Sequence, residues 1–305
     1  MLLQDLIIDL LKLKKYKTLK MSKLKIAIQK SGRLSEKSLE LLKDCGIKIS
    51  TSNRKLRTES PNFPIEVLFL RDDDISQYVE QGVADIGILG ENEVWEKDKN
   101  VTQIRQLGFA GCKLCLAIPK DEAYTDLSYF QDKKIATSYP RILQKFFQEK
   151  GINVKIEEIG GSVEIAPSIG LANAIFDIVS TGSTLLTNGL KQVETVVESQ
   201  AVLISNKNLD NEKQAIVDRL LFRIEAVKQS SENKYILLNA PNEKLEEIIA
   251  LLPGMKSPTV LPLAEKGWSS IHTVIKEDTF WDIIEQLKAL GAEGILVLEI
   301  EKMIL

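Results

Sequence analysis

The residues from Ile175 to Leu190, IFDIVSTGSTLLTNGL, bring an acid, a glycine and a run of hydroxyls into one short stretch. Residues 175–179 form an apolar run with the length and residue types of a buried strand, interrupted by Asp177. Ser180, Thr181, Gly182, Ser183 and Thr184 follow, then an apolar segment able to start a helix. A strand entering a helix through such a turn makes a cradle for phosphate. Gly182 lets the backbone approach closely, unpaired N–H groups point outward, and the hydroxyls add donors. The same residues also read as a plain helix cap at Ser180 or Ser183.

The elements that must position this turn recur along the chain. Apolar strand-like runs at residues 24–28, 65–70, 84–89, 112–118, 135–137, 152–159 and 175–179 alternate with helical patterns. That alternation predicts a largely parallel α/β sheet. Polar or glycine-bearing segments follow the runs, at residues 30–33, 71–74, 90–91, 137–139 and 180–184. In an open α/β sheet the C-terminal strand ends line the ligand crevice. A loop that only turns the chain needs a glycine and a cap. It does not need Lys30, Arg33, Arg71 and Tyr139 at the strand mouths, so a small anionic ligand is expected.

A long amphipathic helix is expected over residues 208–229, followed by a short polar linker at 230–233. Beyond it, strand and helix patterns run in the order βαββαβ, the ferredoxin-like arrangement.

A chain of 305 residues suggests two or three domains. The net charge of −3 argues against broad nucleic-acid or anionic-membrane binding. The cysteines Cys45, Cys112 and Cys115 suit a reducing cytosol. Cys112 and Cys115 form a lone C-x-x-C on a strand-like run, with His272 distant, so they read as small packing residues rather than a zinc site. No apolar run is long enough to span a membrane. Residues 1–21 place apolar residues before lysines, the reverse of a signal peptide. Either Met21 is the true start or the segment is a short amphipathic helix. No P-loop, dinucleotide-binding or zinc-protease motif occurs, which disfavours P-loop phosphoryl transfer, hydride transfer and metal-assisted proteolysis. No histidine stands in a motif with serine or cysteine, so triad hydrolysis is disfavoured as well.

Taken with IAIQKSGRL (26–34), LRDDDI (70–75), ADIGILGENE (84–93), IATSYP (135–140) and GSVEIAP (161–167), the opening stretch resembles the ATP phosphoribosyltransferases. The form resembled is the long one, with a C-terminal regulatory domain, and the similarity runs from about Lys23 to Met303. The resemblance implies transfer of the phosphoribosyl group of phosphoribosyl pyrophosphate (PRPP) to N1 of ATP. Phosphoribosyl-ATP and pyrophosphate are the products, in the first step of L-histidine biosynthesis, and histidine inhibits by feedback. It also implies a two-lobed α/β core like that of periplasmic binding proteins. The boundaries expected are an N-terminal extension at 1–21, lobe I at 22–112 and 200–228, lobe II at 113–199, and a regulatory domain at 229–305.

By the same resemblance, Thr181, Gly182, Ser183 and Thr184 hold the 5-phosphate of PRPP, Asp177 holds the ribose, and Glu164 meets the ribose or a metal. Lys30, Arg33 and Arg71 face ATP phosphates or the pyrophosphate, and Tyr139 contacts the adenine with its ring. Arg54 and Arg57 are possible clamps. Locally, these charges also read as solvated residues beside a turn, and Glu164 and Asp72–Asp74 as helix-start acids. Mg²⁺ is expected on the pyrophosphate, with its protein ligands unassigned. The segments LLPGMKSPTVLPL (251–263) and LGAEGILVLEIEKM (290–303) carry the match to the regulatory domain, where Asn239 and Thr259 would help hold histidine. A cytoplasmic homo-oligomer, dimer to hexamer, is implied. The rival readings are a two-lobed solute-binding protein, which a signal peptide would support, and an effector-binding regulator, which a helix-turn-helix or basic face would support.

Overall fold

The computed structural model describes residues 22–50, 56–179 and 182–305. The expectations for residues 1–21, Arg54, Ser180 and Thr181 lie outside the described residues. The chain forms two compact units: one holds the residues up to Glu40 and Ile47–Gln214, the other Leu41–Gly46 and Ala215–Leu305.

The first unit contains two sheets. In one, the order is β2 (Arg57–Glu59), β3 (Ile65–Leu70), β1 (Leu24–Gln29), β4 (Ile86–Gly90), β11 (Ala201–Ser205) and β5 (Thr102–Gln106). In the other it is β10 (Leu190–Ser199), β6 (Cys112–Pro119), β9 (Ala174–Val179), β7 (Lys134–Thr137) and β8 (Lys155–Glu158). The chain leaves the first sheet after β5 and returns from β10 to β11 across the single residue Gln200.

Both sheets are mixed, where a largely parallel sheet was expected. β1 runs parallel to β3 and β4, and β7 to β8 and β9. β2, β11, β5, β6 and β10 pair antiparallel. The double crossing lays returning β10 and β11 beside outgoing strands, while β2 pairs antiparallel with β3, the next strand in the chain. β10 gives a weak sequence signal because bulges between Gln192 and Glu194 and between Thr195 and Val197 break its alternation.

Helices α1 (Arg33–Asp44), α2 (Asp72–Glu80), α3 (Glu91–Lys97), α4 (Pro140–Lys150) and α5 (Ser183–Thr187) follow strand ends. Helix α2 packs its Ile75 and Val79 onto Ala27, Leu89, Val202 and Ile204. Gly87 makes that approach possible, since a Cβ there would lie 2.6 Å from Ile75 Cγ2. The second sheet is filled by Phe130, Phe147 and Phe176, with Leu143 of α4.

Helix α6 (Asn211–Glu232) begins in the first unit, where Lys213 Nζ pairs with the buried Asp85 at 2.8 Å. It then runs without a break into the second unit. The linker expected at 230–233 is instead the last turn of α6, and β12 (Asn233–Pro241) starts at once. Within that turn Ser230 Oγ donates to Val227 O at 2.8 Å and Ser231 Oγ to Lys228 O at 2.8 Å.

After β12 come α7 (Leu245–Leu251), β13 (Thr259–Pro262), β14 (Trp268–Lys276), α8 (Glu277–Ala289) and β15 (Glu293–Glu299). The order β13-β14-β12-β15, all antiparallel, is the ferredoxin-like sheet expected from the sequence. Ile236, Leu238, Ile271 and Ile275 face the core shared with Phe280 and Leu287 of α8.

Candidate active site

Strand β9 delivers Asp177 near its end and then the turn. Gly182 is left-handed, with φ +74°, and is the residue before α5. Ser183 and Thr184 open α5 with exposed side chains. Asp177 is partly buried, and its Oδ1 accepts the Ile178 N–H at 2.8 Å. Burial pushes the Asp177 carboxyl up to about 6; the Ile178 N–H opposes this, and the charge of Glu164 adds to it. Glu164 stands on a short 3-10 turn, Val163–Ile165. Asp177, Glu164, Gly182, Ser183 and Thr184 therefore gather at one end of β9.

Strand β7 runs parallel beside β9, with Thr137 opposite Phe176. Tyr139 and Asp177 consequently leave the sheet at the same edge, and the Asp177 charge reaches the Tyr139 hydroxyl. The Tyr139 ring is only 8 % exposed and packs with Leu143, Phe147 and Phe176. Its hydroxyl, not its ring face, is turned toward the other lobe.

In the first sheet, Gln29 of β1 lies opposite Leu70 of β3. Lys30 N donates to Leu70 O at 2.8 Å, so Lys30 and Arg71 emerge side by side. Gly32, with φ +93°, turns the chain into α1, which Arg33 opens. Lys30, Arg33 and Arg71 are exposed and lack a salt-bridge partner among the described residues. Arg57 is different: it pairs with the buried Glu66 of β3.

Helix α3, after β4, carries residues that sequence reasoning missed. Asn92, Glu93 and Glu96 are all buried. Asn92 Nδ2 donates to the Tyr139 hydroxyl at 3.3 Å, and Asn92 Oδ1 accepts the Ser199 hydroxyl at 2.8 Å. Asn92 Nδ2 also donates to Glu93 Oε1 at 3.3 Å, so Glu93 and the Tyr139 hydroxyl share one amide nitrogen. Glu96 caps α4 with both oxygens, accepting Arg141 N and Ile142 N at 3.0 Å each. The available signal was Glu93 and Glu96 at helical i, i+3 spacing directly after a buried strand.

In the ferredoxin-like unit, Asn239 lies opposite Ser270 and Thr259 opposite His272, on strands flanking β14. These positions share the face turned away from Leu238 and Ile271. His272 bonds Tyr235 Oη through Nδ1 at 2.7 Å and Ser270 Oγ through Nε2 at 3.2 Å.

Among the described residues, no three of His, Cys, Asp or Glu converge to hold a metal ion. Cys112 and Cys115 stand beside the hydroxyls of Ser199 and Thr195, and burial pushes both thiols up, so neither is an activated nucleophile. What remains is a cationic strand end, an acid pair beside a glycine turn, and a buried polar bridge between lobes. Such a site aligns charged reactants rather than attacking them.

The model of the family described as ATP phosphoribosyltransferase matches residues 71–226, and that of its C-terminal domain matches residues 230–302. The chain is 62 % identical to the ATP phosphoribosyltransferase of Phocaeicola vulgatus over 92 % of this chain and 100 % of that one. It is 60 % identical to the protein of the same name from Bacteroides thetaiotaomicron, over 92 % and 99 %. Among solved structures, the Thermotoga maritima ATP phosphoribosyl transferase (HisG:HisZ) complex matches with a TM-score of 0.57 at 30 % identity, covering 66 % of this chain and 96 % of that one. With a catalytic-domain match, a C-terminal-domain match and relatives aligned along their whole length, the chain belongs to the ATP phosphoribosyltransferase family in its long form, an enzyme of histidine biosynthesis.

Proposed function

We propose that the end of β9 is the PRPP site of this ATP phosphoribosyltransferase. The backbone of Gly182, Ser183 and Thr184, together with Thr181, holds the 5-phosphate, and Asp177 and Glu164 accept from the ribose hydroxyls. Lys30, Arg33 and Arg71 take the ATP phosphates or the departing pyrophosphate, and Tyr139 stands on the purine side. The observation that carries this reading is the shared strand edge: parallel β7 and β9 bring Tyr139 and Asp177 out together, with left-handed Gly182 just beyond.

The reaction joins N1 of the adenine to C1 of the ribose and breaks the bond from C1 to the pyrophosphate oxygen. The electron pair of that bond leaves with pyrophosphate, and positive charge develops on the sugar. Aligning the two substrates alone can lower the barrier by roughly 7–11 kcal/mol. Ionised Asp177 and Glu164 favour the developing cation, and the unpaired cations of lobe I favour the leaving group. Mg²⁺ arrives on the pyrophosphate, as part of the substrate.

The ferredoxin-like unit is the effector domain in this reading, with Asn239 and Thr259 contacting the charged groups of histidine. Inhibition then requires unequal histidine affinity for active and inactive states. The enzyme works as a cytoplasmic homo-oligomer; no described helix is long and apolar enough to cross a membrane. Mixing the protein with ATP, PRPP and Mg²⁺ and following phosphoribosyl-ATP by absorbance tests the activity. Varying PRPP with Asp177→Ala tests the site, which is misplaced if that variant uses PRPP normally.

A further inference from the structure

We propose that Glu93 is a positioning residue for phosphoribosyl transfer: reaching from lobe I, it orients the Tyr139 hydroxyl at the edge of lobe II beside Asp177. This rests on the placement of the reaction at that edge. Nothing in the strand-mouth reading requires Glu93. It is nevertheless 7 % exposed, in a helix whose other acids each have an evident task. Glu91 accepts Gln103 Nε2 at 2.8 Å and Glu96 caps α4. Glu93 instead sits with Tyr139 around one amide nitrogen: Asn92 Nδ2 donates to Tyr139 Oη at 3.3 Å and to Glu93 Oε1 at 3.3 Å.

The donor inventory gives this arrangement a direction. Asn92 Nδ2 occupies a lone pair of the tyrosine oxygen, so the Tyr139 proton is left to find an acceptor. An ionised Glu93 can only accept, and it takes that proton in a charge-assisted hydrogen bond. A protonated Glu93 competes to donate and leaves the hydroxyl loosely held.

Burial pushes the Glu93 carboxyl up to about 7, and Asp72 and, more weakly, Asp73 of α2 push it the same way. Lys97 and the Tyr139 hydroxyl oppose them. Facing the same hydroxyl from the other lobe is Asp177. Tyr139 is therefore held most firmly on the alkaline side of neutrality.

The test is Glu93→Gln, which mimics the protonated acid in shape. Relative to the unsubstituted enzyme, its kcat/KM for ATP, with PRPP saturating, should fall about tenfold between about pH 6 and pH 8.5, the loss of one charge-assisted hydrogen bond. In a Tyr139→Phe background the same substitution should give a flat ratio, because the bond is already gone. A ratio independent of pH in the enzyme that keeps Tyr139, or a pH dependence surviving in the Tyr139→Phe background, overturns the proposal. If the glutamine variant does not fold, Glu93→Asp keeps the charge and shortens the reach. It should lose activity at the alkaline end, and an unchanged profile there overturns the proposal. Asp177→Asn at varied PRPP reads the ribose side separately, so normal PRPP use in that variant removes the PRPP assignment without touching the Glu93–Tyr139 coupling.

Discussion

Asn92 Nδ2 lies 3.3 Å from the Tyr139 hydroxyl, joining the first turn of α3 in one lobe to the residue that precedes α4 in the other. Three further contacts follow the same line. Glu96 caps α4, Arg141 Nη1 pairs with Asp98 Oδ2 at 2.6 Å, and Ser199 Oγ accepts the Asn92 N–H at 3.0 Å. The Arg141–Asp98 pair is largely exposed and contributes little. The buried Glu96 cap is the stronger tie, because its carboxylate meets two otherwise unpaired helix N–H groups.

Replacing Glu96 with Ala should therefore lower the stability of the catalytic unit by about 1–2 kcal/mol. Glu96→Gln, which retains one acceptor, should lose less. Denaturant titration of the two variants against the unsubstituted protein checks the order, and equal stability of all three would show that the cap is idle.

Ionised Asp177 offers both oxygens to ribose hydroxyls and a charge to the developing cation, and its carboxyl is pushed up to about 6. The kcat/KM for PRPP should fall as pH drops through that value. Asp177→Asn should lower it on the order of 100-fold at neutral pH, as expected for a group that favours the transition-state charge. The melting temperature should change by only a few degrees. The readout is a pH series of initial rates beside thermal unfolding.

Glu93 makes the folded state sensitive to pH. Its folded-state value lies above its ordinary value, so its stabilising contribution is fully present below about 4.5 and is lost as pH rises through about 7. From 4.5 to about 7, at about 1.4 kcal/mol per unit, the loss is about 3 kcal/mol. Glu93→Gln should flatten the fall in stability between about pH 5 and pH 8, as followed by urea unfolding at each pH.

Gly87→Ala should destabilise by about 1–3 kcal/mol through overpacking, since its methyl would sit 2.6 Å from Ile75 Cγ2. In an Ile75→Ala background, which lacks that Cγ2 methyl, the same substitution should cost less. Calorimetry of the single and double variants measures the difference.

Asn239→Ala and Thr259→Ala should each weaken inhibition by histidine while leaving turnover without histidine unchanged, because both residues lie on the ferredoxin-like sheet. Dose–response curves for histidine decide this, and unaltered curves in both variants would move the effector site elsewhere.

The amino-acid sequence alone determined the elements whose signal is local. Buried strands β1, β3, β4, β7 and β9 read as apolar runs, Gly182 and Gly32 marked their turns, and the βαββαβ order of the last domain followed from periodicity. It also singled out Lys30, Arg33, Arg71 and Asp177, because charges at the mouths of buried strands stand out against their neighbours. Only the tertiary structure decided the antiparallel returns of β10 and β11, the unbroken run of α6 through Glu232, and the buried trio Asn92, Glu93 and Glu96. The physical reason is range. Strand and turn preferences are set by residues a few positions apart, whereas Asn92 and Tyr139 are 47 positions apart and Asn92 and Ser199 are 107 apart. Their roles exist only once two sheets have folded and brought α3 against the head of α4.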